Sequence, residues 1–126
     1  LNPDNVSAPM KPTYSHVCIA PLGPAKLVSI AGQIGMDGTG EVPSSFTEQV
    51  RVALENLKKC LASAGAMPKD IVKVTQFVVN LDATESTRGN LWLEFVGEHR
   101  PPSTLVGVAA LASPELLYEV EATAVV

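Results

Sequence analysis

The stretch SFTEQVRVALENLKKCLASAG, residues 45–65, and the stretch DIVKVTQFVVNL, residues 70–81, decide the fold. In the first, Phe46, Val50, Leu54, Leu57, Leu61 and Ala64 recur at spacings of three and four, the period of one helix face. Ser45 and Glu48 open it as a capping box, with the hydroxyl accepting from the third helical N–H and the glutamate reaching back. Gly65 stands where a C′ glycine ends a helix. On the polar side Glu55 has Lys58 and Lys59 within pairing distance. The second stretch is β-branched and apolar at nearly every position, the pattern of a strand covered on both faces and flanked by neighbours. A helix with one apolar stripe needs a surface to bury it on, so the two together predict a helix packed on a sheet.

Working outward, residues 1–12 are polar and proline-bearing and read as an extended lead-in; residues 13–126 read as one domain. Residues 13–19 predict a first strand, Pro21-Leu22-Gly23-Pro24 a turn, and residues 26–34 a second strand. Met36 to Gly40 is a further turn. A second helix is expected over residues 84–98, with Leu91, Trp92, Phe95 and Val96 as its apolar side; Gly89 weakens it by about 1 kcal/mol relative to alanine. His99-Arg100-Pro101-Pro102 ends it. Residues 103–109 and 116–126 predict closing strands joined by a turn at Ser113-Pro114. The order is β-β-α-β-α-β-β, an α+β class with one sheet covered on one face by both helices. The other face reads as too apolar for water, so association with further copies is expected.

Composition excludes several classes. At 126 residues the chain suits one domain, able to bury about two thirds of its unfolded surface. The net charge is -4 with 9 Lys and Arg, and no basic run occurs; nucleic acid, whose binding rests on many cationic phosphate contacts, is not an expected partner. No apolar run approaches the ~20 residues of a membrane helix, and residues 1–12 lack the apolar core of a signal peptide. A cytoplasmic protein is expected, or a mitochondrial one if a transit segment has been removed. Cys18 and Cys60 fit no metal spacing and read as reduced structural thiols. With His16 and His99 as the only histidines, the spacing supports no metal site. His16 has no evident partner and reads as surface or interface, while Trp92 reads as core.

Six strings, in order, carry a resemblance. They are Tyr14-Ser15-His16; Ala31-Gly32-Gln33-Ile34; Ala53 to Lys58; Ala64-Gly65-Ala66 with Asp70 to Phe77; Gly97-Glu98-His99-Arg100-Pro101; and Tyr118-Glu119-Val120-Glu121-Ala122. Each alone is weak, but together they span Tyr14 to Val126. The chain resembles the RidA (YjgF/L-PSP) family. The resemblance implies a chorismate-mutase-like fold and a barrel-like homotrimer with small-molecule clefts between subunits. It also implies hydrolysis of reactive enamines and imines, such as 2-aminoacrylate, to a 2-keto acid and ammonia without a cofactor.

Carried over position by position, the resemblance assigns Tyr14 and Glu119 to catalysis and Gly32, with its neighbour Ala31, to the substrate. The family's substrate-carboxylate arginine falls at Ser103, a cysteine two places further on at Leu105, and a site asparagine at Gly89, with Asn90 about 100° around the helix from it. Serine cannot supply a bidentate cation. The loss of such a pair costs about 1.5–3 kcal/mol in carboxylate binding. Arg100 is flanked by Pro101 and matches a different family position. Glu119 and Glu121 alternate along the last strand, so both carboxylates share a face about 6.5–7 Å apart. The alternative for each is a solvated strand face or an intersubunit ion pair. For Tyr14 it is a packing aromatic, and for Gln33 and Asn56 the satisfaction of backbone groups.

The expectation is an enzyme of this family that moves protons through water on an imine, enamine or carbonyl metabolite, and not a standard 2-aminoacrylate deaminase. The alternatives are a genuine 2-iminobutanoate/2-iminopropanoate deaminase with an altered grip and a non-enzymatic trimer that binds a metabolite or protein. A ribonuclease, the activity in the L-PSP name, fits the acidic charge poorly.

Overall fold

The computed structural model describes residues 1–126. Its elements are β1 (Val17–Leu22), β2 (Ala25–Ile34), α1 (Phe46–Ser63), β3 (Ile71–Val79), α2 (Thr87–Val96), β4 (Ser103–Val108) and β5 (Tyr118–Val125), with a short 3-10 turn at Pro68–Asp70. The order of elements is the expected one. The strands form one mixed sheet ordered β1-β2-β5-β3-β4, parallel between β3 and β4 and antiparallel elsewhere. The β-branched strand β3 is interior, as its two-sided apolar pattern predicts, but the centre belongs to β5.

Helix α1 starts as expected, with Ser45 Oγ accepting from the Glu48 N–H at 3.3 Å. Glu48 does not complete the capping box; it pairs with Arg51 at 3.2 Å, the one ion pair in the chain. Glu55 therefore makes no pair with Lys58 or Lys59. Gly65 follows the helix at φ +75°, the left-handed conformation that spares a glycine the steric cost of a Cβ. The buried face of α1 is wider than its apolar stripe, for Gln49, Ala53, Asn56 and Cys60 are buried with it. Full burial of Leu57 alone contributes about 2–3 kcal/mol.

Two strand ends differ from the sequence reading. β1 begins at Val17 and runs through Pro21 to Leu22, so Pro21 lies in a strand. This is tolerated because β1 is the sheet's edge, where no second neighbour asks for the missing N–H. The turn shrinks to Gly23-Pro24, with Gly23 at φ +64°. Helix α2 is shorter than expected. The Glu85 carboxylate accepts from the N–H groups of Thr87 and Arg88 and starts the helix there, after a turn in which Asp82 holds Thr84.

Alternation along β5 buries Tyr118, Val120, Ala122 and Ala124 against the helices and turns Glu119, Glu121 and Thr123 to the opposite face. Beside them on β3 lie Phe77, Thr75 and Lys73. The uncovered face is thus mixed, with apolar Phe77, Val79 and Val106 set among Lys73, Thr75, Glu121 and Thr123. It is less apolar than the sequence suggested.

Two devices join α1 to the sheet. Gly35 passes so close to the helix that a Cβ there would lie 2.6 Å from the Gln49 Cα. The fully buried Gln49 donates to the carbonyls of Pro43 and Glu115 and accepts from the Leu117 N–H. Replacing Gln49 with Met keeps the volume but leaves three part-buried backbone groups without their partner, each costing about 1–3 kcal/mol where water does not reach it. Gln49→Met is expected to lose at least about 3 kcal/mol in urea unfolding with an unchanged m-value; a loss below about 1 kcal/mol would mean that water replaces these bonds.

Candidate functional site

The site begins with a fault in the sheet. Ile30 pairs with Ala122 and Gln33 with Val120, so three steps of β2 match two of β5. The extra residue bulges at Ala31-Gly32, which lets Ile30 and Gln33 both point inward. Into the space at Gly32 comes Glu119 from β5. A Cβ on Gly32 would lie 2.6 Å from the Glu119 Cδ and 2.9 Å from its Cγ, so the carboxylate rests directly on the glycine backbone. The glycine is needed here for space.

Glu119 and Gly32 line a cavity of about 400 Å³ together with Ala31, Glu121 and Tyr14. Partial burial, and secondarily the charge of Glu121, hold the Glu119 carboxyl above the usual glutamate range. No cation or hydrogen-bond donor of the chain offsets either effect. Such a group is poised to exchange a proton with a bound molecule or water.

Behind it runs a fixed polar wall. Gln33 Nε2 donates to the Ala31 carbonyl at 3.1 Å, which sets the amide's orientation, and also to His16 Nδ1 at 2.9 Å. His16 Nδ1 therefore accepts, and its Nε2–H donates to the Ser7 carbonyl at 2.8 Å. His16 is buried, contrary to its sequence reading. Asn56 Nδ2 donates to the carbonyls of Ile34 and Met36. Gln33 and Asn56 satisfy backbone groups, one of the alternatives left open for them.

The third wall is the segment before β1. It contains no helix or strand but folds back with Val6 buried and Ser7 donating to the Asp37 carbonyl. Ser7, Met10 and Lys11 all face the cavity. The Met10 N–H donates to the Tyr14 hydroxyl oxygen at 3.2 Å, leaving that hydroxyl's own proton free to donate. Lys11 is the one Lys or Arg that lines this cavity. These three residues escaped the sequence reading because their segment has no periodicity to give it a face.

The remaining expected site residues lie elsewhere. Leu105 points to the helix side of the sheet and lines a second cavity, of about 320 Å³, beside α2. Gly89 sits within α2 with open space where a Cβ would be, and Ser103 is exposed at the start of β4; neither lines a cavity of this chain. Arg100 donates to the carbonyls of Gly97 and His99 at the end of α2 and enters neither cavity. No group of three or more His, Cys, Asp or Glu is placed to hold a metal. Cys18 and Cys60 are unpaired, Cys60 with its pKa pushed up by burial to about 11. No helix is long and apolar enough to cross a membrane.

The strand carboxylate seated on a bulge glycine thus lies in an α+β protein with one mixed sheet and two helices. Residues 6–126 match the Endoribonuclease L-PSP family, and the chain belongs to that family, also called RidA or YjgF. The 2-iminobutanoate/2-iminopropanoate deaminase of Escherichia coli K12 is 35% identical over 103 residues, covering 79% of each chain. A RutC family protein of Pyrococcus horikoshii is 34% identical over 123 residues, covering 96% of this chain and 92% of its own. The crystal structure of E. coli TdcF with bound serine superposes with a TM-score of 0.84 at 31% identity, covering 98% of this chain and 94% of the other. These likenesses bear out the family and the fold read from the sequence.

Two outcomes follow from the seating of Glu119. Gly32→Ala is expected to displace the carboxylate and lower any turnover at least about tenfold while the sheet remains folded; full activity would show that the close approach is dispensable. Because the folded pKa of Glu119 lies above its unfolded one, its ionisation opposes folding. The stability it contributes is complete below the usual glutamate range and is lost as pH rises through the folded value. Glu119→Gln is therefore expected to unfold at higher urea than wild type near neutral pH, with the gap narrowing in acid.

Proposed function

We propose that this protein is an acid/base enzyme that hydrolyses a small imine or enamine, or acts on a related carbonyl compound, in the Glu119 cavity. In the imine case Glu119, ionised, takes a proton from water as the water oxygen bonds to the imine carbon and the C=N π electrons move to nitrogen. The protonated Glu119 then returns that proton to nitrogen. Glu119 then takes the adduct's hydroxyl proton and passes it to the same nitrogen, and the C–N bond breaks as the carbonyl forms, releasing ammonia. A carboxylate with a raised pKa is suited to both halves, and such relays contribute about 10²–10⁴-fold. The Tyr14 hydroxyl donates to the substrate atom that gains negative charge. The observation that carries this reading is the Glu119 carboxylate held on Gly32 inside a cavity with no countercharge against it. The family's imine-deaminase relative supports the reaction class.

The working form is proposed to be a homotrimer of this domain in which neighbouring copies complete each cleft. The apolar patch of Phe77, Val79 and Val106 beside Glu119 on the uncovered face supports an association there. The grip on the substrate is proposed to differ from that of a standard 2-aminoacrylate deaminase, since residue 103 is serine.

Ammonia release from enzymatically generated 2-aminoacrylate tests this directly. Wild type is expected to be slow and Ser103→Arg at least about tenfold faster; equal rates at a high level would restore the standard deaminase. On a substrate that wild type does turn over, Glu119→Gln is expected to lose at least about a hundredfold in kcat while its mass by sedimentation stays that of the wild type. Unchanged turnover removes Glu119 from the mechanism, and a wild-type monomer at micromolar concentration contradicts the trimer. The acidic limb of kcat/KM is expected above the usual glutamate range, and Glu121→Gln should move it down, because the neighbouring negative charge helps to raise it.

A further inference from the structure

We infer that the Glu119 cavity includes a side-chain pocket, so that the substrate of the reaction proposed above carries an unbranched apolar chain of about four carbons or more. A three-carbon imine is far smaller than the ligands enclosed by clefts of about 300–1,000 Å³, and this cavity measures about 400 Å³. The space left over belongs to the substrate's side chain. The substrate's identity rests on the imine chemistry of Glu119; the pocket itself does not.

The pocket starts beside the carboxylate. Ile34 pairs with Glu119 across the sheet, and the Cβ atoms of such partners lie about 4.5–5.5 Å apart on one face. Met36 follows two residues on, and Asn56 Nδ2 fixes this stretch by donating to the carbonyls of Ile34 and Met36 at 3.0 and 2.8 Å. Ser7 donates to the Asp37 carbonyl, which brings Val6 to the same wall. Leu116, just before β5, lines it as well. Val6 and Leu116 are buried, and Ile34 and Met36 are half-buried. The flexible thioether of Met36 can adapt to a chain laid against it.

The side-chain donors on this wall are already engaged. Gln33 Nε2 donates to His16 Nδ1 and the Ala31 carbonyl, and Asn56 Nδ2 to Ile34 and Met36. The Ser7 hydroxyl and the His16 Nε2–H donate to the carbonyls of Asp37 and Ser7. Lys11 and Tyr14, which keep free donors, lie in the exposed stretch 10–14 instead. A hydrogen-bond acceptor on the substrate's chain would lose water in the pocket and meet no donor, at a cost of about fivefold or more in binding. An aliphatic chain has no such loss, and each CH₂ it buries is worth about fourfold.

The full chain is tested with imines generated by an amino-acid oxidase from alanine and from norleucine, and with acetone, 2-hexanone and 4-methoxy-2-butanone. The norleucine-derived imine is expected to show a kcat/KM at least about tenfold above the alanine-derived one, since it buries three more CH₂ groups. Met36→Trp, which fills the pocket, should bring the two within about threefold. Ketone binding, read by amide NMR, needs no turnover and stands in where Met36→Trp fails to fold. 2-Hexanone should bind at least about tenfold tighter than acetone and move the Ser7, Ile34 and Met36 signals. Its ether isostere, 4-methoxy-2-butanone, should bind at least about fivefold more weakly than hexanone. Turnover with no chain-length preference, an unchanged preference in folded Met36→Trp, or hexanone binding no tighter than acetone or the ether would each overturn the pocket and leave the Glu119 chemistry standing. Hexanone bound as expected with no imine turned over would uphold the pocket and overturn the reaction instead, and with it the substrate's identity.

Discussion

One missing side-chain atom organises the candidate site. The bulge at Ala31-Gly32 supplies the extra residue that turns both Ile30 and Gln33 inward, and the absent Cβ at Gly32 gives Glu119 a place to lie. Gln33, turned inward by the same bulge, fixes His16, and His16 in turn holds the segment around Ser7 over the cavity. A regular ladder would put Gln33 on the outer face and leave Glu119 as an ordinary solvated strand residue. The geometry and the perturbed carboxylate thus share one local cause.

That arrangement works against stability. A carboxylate pressed on a backbone with no donor, and with Glu121 as a like-charged neighbour, costs folding free energy once it ionises. The expense is met away from the site. Gln49 and Asn56, buried polar residues on α1, satisfy five backbone groups between them and tie the helix to the sheet and its flanking loops. They occupy positions that a helix built only for stability would fill with leucine.

The sequence made α1 and β3 legible because both are strongly periodic and locally capped. Period-two alternation also put Glu119 and Glu121 on one face, but only the family resemblance singled out Glu119. Pro21 was misread because its tolerance depends on β1 being an edge, a fact of topology. The bulge was invisible: Ala31-Gly32 reads as plain strand, and the inward turn of Gln33 depends on the register against β5, almost ninety residues away. The walls around Ser7 and Lys11 lie in a segment whose path is set by tertiary contacts alone.

The departure at residue 103 bears on the grip of a substrate and not on proton transfer. Serine there supplies no cation to hold an acid. A binding function moves between elements more easily than an acid/base function does. Any well-backed arginine at the right distance can hold a carboxylate, whereas proton transfer needs its group within hydrogen-bond reach of one reacting atom. It follows that Glu119 and Gly32 are fixed to each other by contact.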